Sequence, residues 1–370
     1  MASESALPSV RSIKLSNCLK SRDHKVRKVE TAVDLAALAA WMDSVGQGSG
    51  AIEDAVLLAG GTQNILLKFS RAGRTYVLRR PPPHLRANSN ETMRREARVL
   101  AALAGTDVPH PGLIAACPDE TVLGAAFYLM APVDGFNAAS GLPPLHASSE
   151  AARRRMGLSM VEAIAALGAL DYRAVGLEGF GKPDNFLSRQ VARWKGQLDS
   201  YAEFDGWTGP GEIPGVDRVA AWLDAHCPAR FQPGILHGDY HLGNVMFRHD
   251  SPELAAIVDW ELSTIGDPLI DLGWLVATWP ETDDPAVEDV AVRPWKGFPS
   301  ADELVEHYRA RTTRDLSAVD WYAVLACYKL GIILEGTHAR ACAGRAPKAT
   351  GDLLHAKTIG LFQRALRRIG

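Results

Sequence analysis

The chain is poor in the features that mark several protein classes. Its 370 residues include only five cysteines, Cys18, Cys117, Cys227, Cys327 and Cys342, widely scattered and with no C-x-x-C pair. That excludes a disulfide framework or a cysteine-built zinc fold and fits a reducing compartment. No stretch approaches the 18 or more apolar residues of a membrane span, and Met1 to Lys14 lacks the apolar core of a signal peptide. A cytoplasmic protein with no membrane partner is therefore expected. Neither sign of charge dominates: 40 Lys+Arg against 43 Asp+Glu leave a net charge of −3. This excludes the strongly basic surface of most duplex-binding proteins, so no nucleic-acid partner is expected. With 22 Pro and 33 Gly the chain falls short of low-complexity composition, and the absence of an internal repeat excludes solenoids and propellers. What remains is ordinary globular material: 47% apolar residues over a length that suits two domains, or one large domain with a subordinate lobe.

Residues 1–30 read as an N-terminal extension, charge-rich from Ser21 to Glu30 and best explained as a solvated approach to the first helix. Asp34 to Met42 has helical spacing and gives way to a glycine-rich linker, Gly46 to Gly50. Three strand-like runs follow, Ala55 to Leu58, Ile65 to Phe69 and Thr75 to Arg79, separated by Gly60-Gly61 and Ala72-Gly73 as in an antiparallel meander. A polar helix over Glu91 to Ala104 and a strand over Ala125 to Met130 complete a small lobe, residues 31–133. Beyond Val133-Asp134-Gly135 the pattern turns helical, at about 149–170, 185–204 and 216–226. A β-rich insert over Gly234 to Trp260 precedes a last helical region that includes Trp321 to Ala341. Residues 134–370 thus form the expected large lobe.

The densest chemical signal is His237-Gly238-Asp239-Tyr240-His241-Leu242-Gly243-Asn244, followed by Ile257-Val258-Asp259. In phosphoryl transfer one carboxylate accepts the proton of the substrate hydroxyl, while an amide oxygen and a second carboxylate hold Mg²⁺ on the nucleotide phosphates. Asp239, Asn244 and Asp259 supply that set, with Asp and Asn five apart and the second Asp fifteen further on behind an apolar pair. The rival reading places His237, Asp239 and His241 on one face of a strand as zinc ligands of a hydrolase. It leaves Asn244 and Asp259 unexplained and finds no second histidine cluster.

Together with Ile265-Gly266-Asp267-Pro268 and Asp271-Leu272-Gly273-Trp274, this motif resembles that of the aminoglycoside phosphotransferase, or choline-kinase-like, family of small-molecule kinases. The resemblance runs from about Val56 to the last helix. It implies an α+β, bilobal protein-kinase-like fold, with a small antiparallel-sheet lobe and a larger, mainly helical one. The implied reaction is transfer of the ATP γ-phosphoryl group to a small-molecule hydroxyl with Mg²⁺ as cofactor. On that reading Asp239 is the catalytic base and Asn244 and Asp259 are metal ligands. His237 braces the loop and Asp271 caps it. Gly60, Gly61, Thr62 and Asn64 form the expected nucleotide loop, whose glycines let backbone N–H groups approach phosphates. It is not a P-loop, since no G-K-[ST] follows. Arg79 stands where kinases place a phosphate-gripping Lys, with Glu96 as its partner from the helix. Arg there departs from the wider family, and Arg80 is the alternative. Backbone groups from Met130 to Val133, at the hinge, are offered to the adenine edge.

The acceptor is less legible. Tyr76 to Pro82 narrows the resemblance to the branch typified by the kinase domain fused to acyl-CoA dehydrogenases ten and eleven, which tilts the expectation toward a hydroxy acid or hydroxyacyl-CoA. Arg189, Arg193 and Gln197, with Trp194 and Lys195, either meet an anionic substrate or form a solvated helix face, and Glu335, Gly336 and Arg340 are further candidates for the cleft. Position 168 is Gly where relatives generally have His. An antibiotic phosphotransferase and a nucleotide-binding pseudokinase are the alternatives. The expected assembly is a monomer or homodimer.

Overall fold

The computed structural model describes residues 31–58, 64–85, 87–280 and 292–370. They divide into two compact units, one formed by residues up to 104 with 111–132, the other by 105–110 with 133–370.

In the first unit, helix α1 (Leu35–Ser44) begins where the Asp34 carboxylate accepts the N–H groups of Ala36 and Ala37, at 3.0 and 2.9 Å. Strands β1 (Glu53–Leu57), β2 (Ile65–Arg71) and β3 (Arg74–Arg80), helix α2 (Ser89–Leu103), and strands β4 (Leu113–Cys117) and β5 (Phe127–Met130) follow. The five strands make one antiparallel sheet in the order β1-β2-β3-β5-β4. The β2–β3 hairpin turns through Ala72 and Gly73, both at positive φ (49° and 74°), the backbone that a two-residue turn needs to match strand twist. Alternation along β2 sends Leu67 and Phe69 inward. They pack with Tyr76, Leu78, Phe127 and Leu129, and with Leu38 and Met42 of α1, each burial contributing about 1.5–3 kcal/mol. The glycine-rich stretch after α1 is more than a linker. Buried Arg71 donates to Gly50 O at 3.0 Å and to Asp43 Oδ1 at 2.5 Å, which ties that stretch to the sheet.

The second unit opens with α3 (Pro144–Ser148), α4 (Glu150–Ala169), α5 (Gln190–Ser200) and α6 (Val216–Ala225). Four short strands, β6 (Gly234–Leu236), β7 (Val245–Phe247), β8 (Leu254–Ile257) and β9 (Thr264–Gly266), pair antiparallel as β6–β9 and β7–β8. Then come α7 (Leu269–Thr278), α8 (Ala301–Arg309), α9 (Val319–Cys342) and α10 (Lys348–Ile369). Helix α5 is shorter than its sequence pattern suggests: Asn185 sits at φ 54°, outside helical geometry, and the end tightens into a 3₁₀ turn at Tyr201–Glu203. Helix α7 is buried on all sides. It approaches α9 closely because Gly273 lacks a side chain, and a Cβ there would lie 2.5 Å from the Tyr322 backbone. Among the described residues no helix is long and apolar enough to cross a membrane.

Candidate active site

Buried strand β6 delivers the chain to His237, and Gly238 turns it sharply at φ +88°. No other residue type fits at 238, since a Cβ would meet Leu262 O at 2.5 Å. The Asp271 carboxylate, from the first turn of α7, holds this turn from below. Its Oδ2 accepts the His237 N–H at 2.6 Å and its Oδ1 the Gly238 N–H at 2.8 Å. Burial pushes the Asp271 carboxyl upward in pKa, against the pull of His237 and these two bonds. The His237 ring is oriented from both ends. Nδ1 accepts the Asp239 N–H at 3.3 Å, so the proton sits on Nε2 and is donated to Val258 O at 3.0 Å.

Asp239 and Asn244 are brought into direct contact. The Asn244 amide donates to Asp239 Oδ2 and to Asp239 O, both at 2.9 Å. That orientation turns the Asn244 Oδ1 away from the carboxylate, leaving it an acceptor oxygen with no donor among the described residues. The other carboxylate oxygen, Asp239 Oδ1, lies 3.6 Å from His241 Nε2. His241 Nδ1 accepts the Gly243 N–H at 3.0 Å, which places the ring proton on the nitrogen facing Asp239. Burial alone would raise the pKa of Asp239, but the nearby Nε2–H of His241 and the electrostatic pull of His241, His237 and Lys329 outweigh it and hold the carboxyl at about 2. Asn244 O accepts the Val258 N–H at 2.9 Å, linking the loop to the strand end that carries Asp259. Asp259 adopts a left-handed conformation, φ 68° and ψ 62°, which costs a non-glycine residue of order 1 kcal/mol and is typical of residues held for a site. Asn244 Oδ1 and the Asp259 carboxylate are hard oxygen donors of the kind Mg²⁺ takes, so this donor set fits that cation.

Two residues that sequence reasoning missed complete the loop. Asn137 donates to Gly243 O at 2.6 Å and to Val245 O at 3.2 Å, bracing the loop over residues 237–244 from a segment about a hundred residues away. Lys329 of α9 donates to Gly238 O at 3.0 Å, with its ammonium 4.4 Å from the Trp274 ring centre and 5.6 Å from that of Trp194. Burial lowers its pKa to about 8, while Asp239 and Asp271 work to keep it charged. The available signal was a lone lysine in the apolar run Cys327 to Ile332. Lys329 and Gly238 line a cavity of about 200 Å³ with Arg193, Trp194, Trp274 and Ile270, and no carboxylate is among the described residues that line it. Of Arg189, Arg193 and Gln197 only Arg193 lines this cavity, beside Trp194. Arg189 turns back to Lys182 O at 2.7 Å and Asn185 O at 3.1 Å, and Gln197 bonds Ser200 at 3.3 Å. Glu335, Gly336 and Arg340 do not line it either. Glu335 faces Trp207 and His355, Gly336 is packed against Tyr201, and Arg340 bonds Thr337.

In the first unit Arg79 is paired with Glu96, Nη2 donating to Oε1 at 3.2 Å and Nε lying 2.8 Å from Oε2 as an ion pair. Tyr128, opposite Arg79 in the β3–β5 register, donates to Glu96 Oε2 at 2.7 Å. Arg80, the alternative to Arg79, is engaged by Pro81 O and Ala32 O. Asn64 lies immediately before β2, Met130 ends β5 and is half-buried, and Val133 is half-buried in the second unit. Gly60, Gly61 and Thr62 lie outside the described residues. The zinc-hydrolase alternative fails on geometry, because the Gly238 turn breaks the strand alternation it needs and both His237 nitrogens are engaged by backbone groups. Gly168 also has a local reason: a Cβ there would lie 2.8 Å from Pro268, leaving no room for an imidazole in this packing.

A family model described as "Phosphotransferase enzyme family" matches residues 54–304. The chain belongs to this family. Human acyl-CoA dehydrogenase family member 11 is 31% identical to this phosphotransferase-family chain over 322 residues, covering 84% of the chain and 40% of the relative. The chain thus spans about two-fifths of that relative's length. The solved structure of a Ralstonia eutropha JMP134 protein assigned to the aminoglycoside phosphotransferases superposes with a TM-score of 0.73 at 32% identity, covering 90% of this chain and 99% of that one. Plasmodium vivax ethanolamine kinase, 12% identical, shares the fold with a TM-score of 0.54 over 85% of this chain and 83% of its own. The architecture of this family member is therefore the α+β, protein-kinase-like one, with an antiparallel-sheet unit and a mainly helical unit.

Proposed function

We propose that this member of the phosphotransferase family is a Mg²⁺- and ATP-dependent kinase that phosphorylates a hydroxyl of an anionic small molecule, a hydroxy acid or hydroxyacyl-CoA. Residues 31–133 are assigned to nucleotide binding and 134–370 to catalysis and acceptor binding. Asp239 orients the acceptor hydroxyl and takes its proton. Its low pKa makes it a weak base, suited to a loose transition state in which the proton leaves late. Asn244 and Asp259 are the residues that would hold Mg²⁺, which when bound neutralises charge on the phosphates. Arg79, oriented by Glu96, is assigned to those phosphates with Gly60, Gly61, Thr62 and Asn64, and the backbone from Met130 to Val133 to the adenine. Asp271, His237 and Asn137 keep the loop in one conformation, so the rate gain comes mainly from positioning and charge.

The acceptor class rests on one observation: the cavity beside Gly238 is walled by indole and aliphatic groups, carries Lys329 and Arg193, and has no carboxylate in its described lining. An ammonium-rich antibiotic needs acidic partners, whereas a carboxylate or thioester with an apolar tail finds complementary charge and surface. The test is mass-spectrometric detection of phosphoryl gain across hydroxy acids, their CoA esters, ethanolamine and aminoglycosides with Mg²⁺-ATP. Product confined to the acids or their esters is expected. Product only on amine acceptors would refute the assignment.

A further inference from the structure

Away from the catalytic loop, α9 and α10 bring together a second set of ligand-type side chains. Glu335 and His338 stand three residues apart on one face of α9, and His355 reaches them from α10. One donor atom of each lies within 4.8 Å of the others. Glu335 is fully buried, and its carboxylate is met by Trp207 Nε1 and His355 Nδ1, each at 2.8 Å. The two imidazoles stack with centres 4.3 Å apart. Two further donors stand at the edges: Cys342 Sγ is 3.6 Å from His338 Nε2, and Glu212 Oε2 is 3.3 Å from His355 Nε2. The helices come this close because residue 351 is Gly, where a Cβ would lie 2.4 Å from that of Ala341.

The independent observation is unmet polarity. His338 Nδ1 and His355 Nε2 are closed off from solvent, yet neither makes a hydrogen bond among the described residues, Glu212 standing near the latter without the required alignment. Buried nitrogens without partners are rare and call for a water or an ion. Two imidazoles and a carboxylate form a common zinc triad, and a thiol or second carboxylate is a usual fourth ligand. We propose that Glu335, His338 and His355 bind Zn²⁺, with Cys342 or Glu212 in the fourth position, and that the ion staples α9 to α10. Convergence on one ion requires the rings to turn out of their stack, a rotamer change at partly exposed side chains. The site is separate from the catalytic oxygens, but its helix also presents Lys329 to Gly238, so the staple would steady that presentation.

The full chain, stripped with chelator and titrated with Zn²⁺ in excess Mg²⁺ to cover the catalytic oxygens, tests this. One zinc retained per chain and a rise of a few degrees in Tm are expected. His338→Gln and His355→Gln should each weaken binding at least tenfold and remove the Tm rise. No retained zinc, or undiminished binding in both variants, would overturn the site. If a variant fails to fold, diethyl pyrocarbonate labelling of the wild type decides the same question: zinc protection of both imidazoles supports the site, and equal labelling with and without zinc refutes it.

Discussion

A lysine ammonium set against two indole rings and a backbone carbonyl is held where its charge is poorly solvated and its geometry fixed, and under the proposed function Lys329 is the residue on which acceptor choice turns. Lys329→Met is expected to raise the KM of a carboxylate acceptor by roughly 10–100-fold, the worth of a charge-assisted hydrogen bond of about 1.5–3 kcal/mol, with a smaller change in kcat. Lys329→Arg should restore part of it. The pH dependence has a definite sign. With its pKa lowered to about 8 from 10.5, Lys329 loses its charge in the folded protein first, so the KM of an anionic acceptor should climb above pH 8 in the wild type and stay flat in the Arg variant. Between about pH 8 and 10.5 the unfolded chain binds the extra proton, so this group makes stability rise with pH in that window, readable in chemical melts. Asp239 acts with the same sign in a much lower window. The stability it gains from its low pKa is present above pH 3.8 and is lost as pH falls through about 2, so acid inactivation near pH 5 would have to arise elsewhere.

At the scale of elements, the candidate catalytic loop is a turn suspended between β6 and the N-terminus of α7. Asp271→Ala strips the acceptor from two buried N–H groups and should lower stability by about 2–4 kcal/mol and kcat by more than tenfold, checked by denaturant melts and initial rates. Gly238→Ala combines a left-handed backbone with a Cβ 2.5 Å from Leu262 O, and should lose activity even where the protein still folds. These elements also mark how far sequence reading reaches. Strands β2, β3 and β5 and helix α2 were legible because alternation, turn residues and helical spacing are local. Asp239 and Asn244 were legible because their spacing within one turn fixes their meeting. Strand β4 escaped because Leu113 to Cys117 is short, alanine-rich and half-buried, with little alternation to read. Lys329 and Asn137 escaped because each meets the loop across roughly a hundred residues, and nothing local encodes that approach. Arg189 and Arg193 look alike in sequence, and only the packing of α5 separates the one turned to the cavity from the one folded back on its own turn.

At the scale of the whole molecule, membership of the phosphotransferase family supports the proposed phosphoryl transfer, and on that proposal the acceptor is set by side chains that the family motif does not contain. A kinase-like fold serves sugars, amines and acids alike, so the charge and polarity of the cavity, rather than the fold, carry the distinction. The mechanism depends most on Asp239 being the group that meets the acceptor hydroxyl. The direct measurement is phosphoryl gain on a hydroxy acid or its CoA ester with Mg²⁺-ATP, followed by mass for the wild type and Asp239→Asn, beside the nucleotide affinity of both. The mechanism predicts a loss of at least a thousandfold in product formation with nucleotide affinity changed less than threefold. Phosphorylated product from Asp239→Asn at the wild-type rate would contradict it.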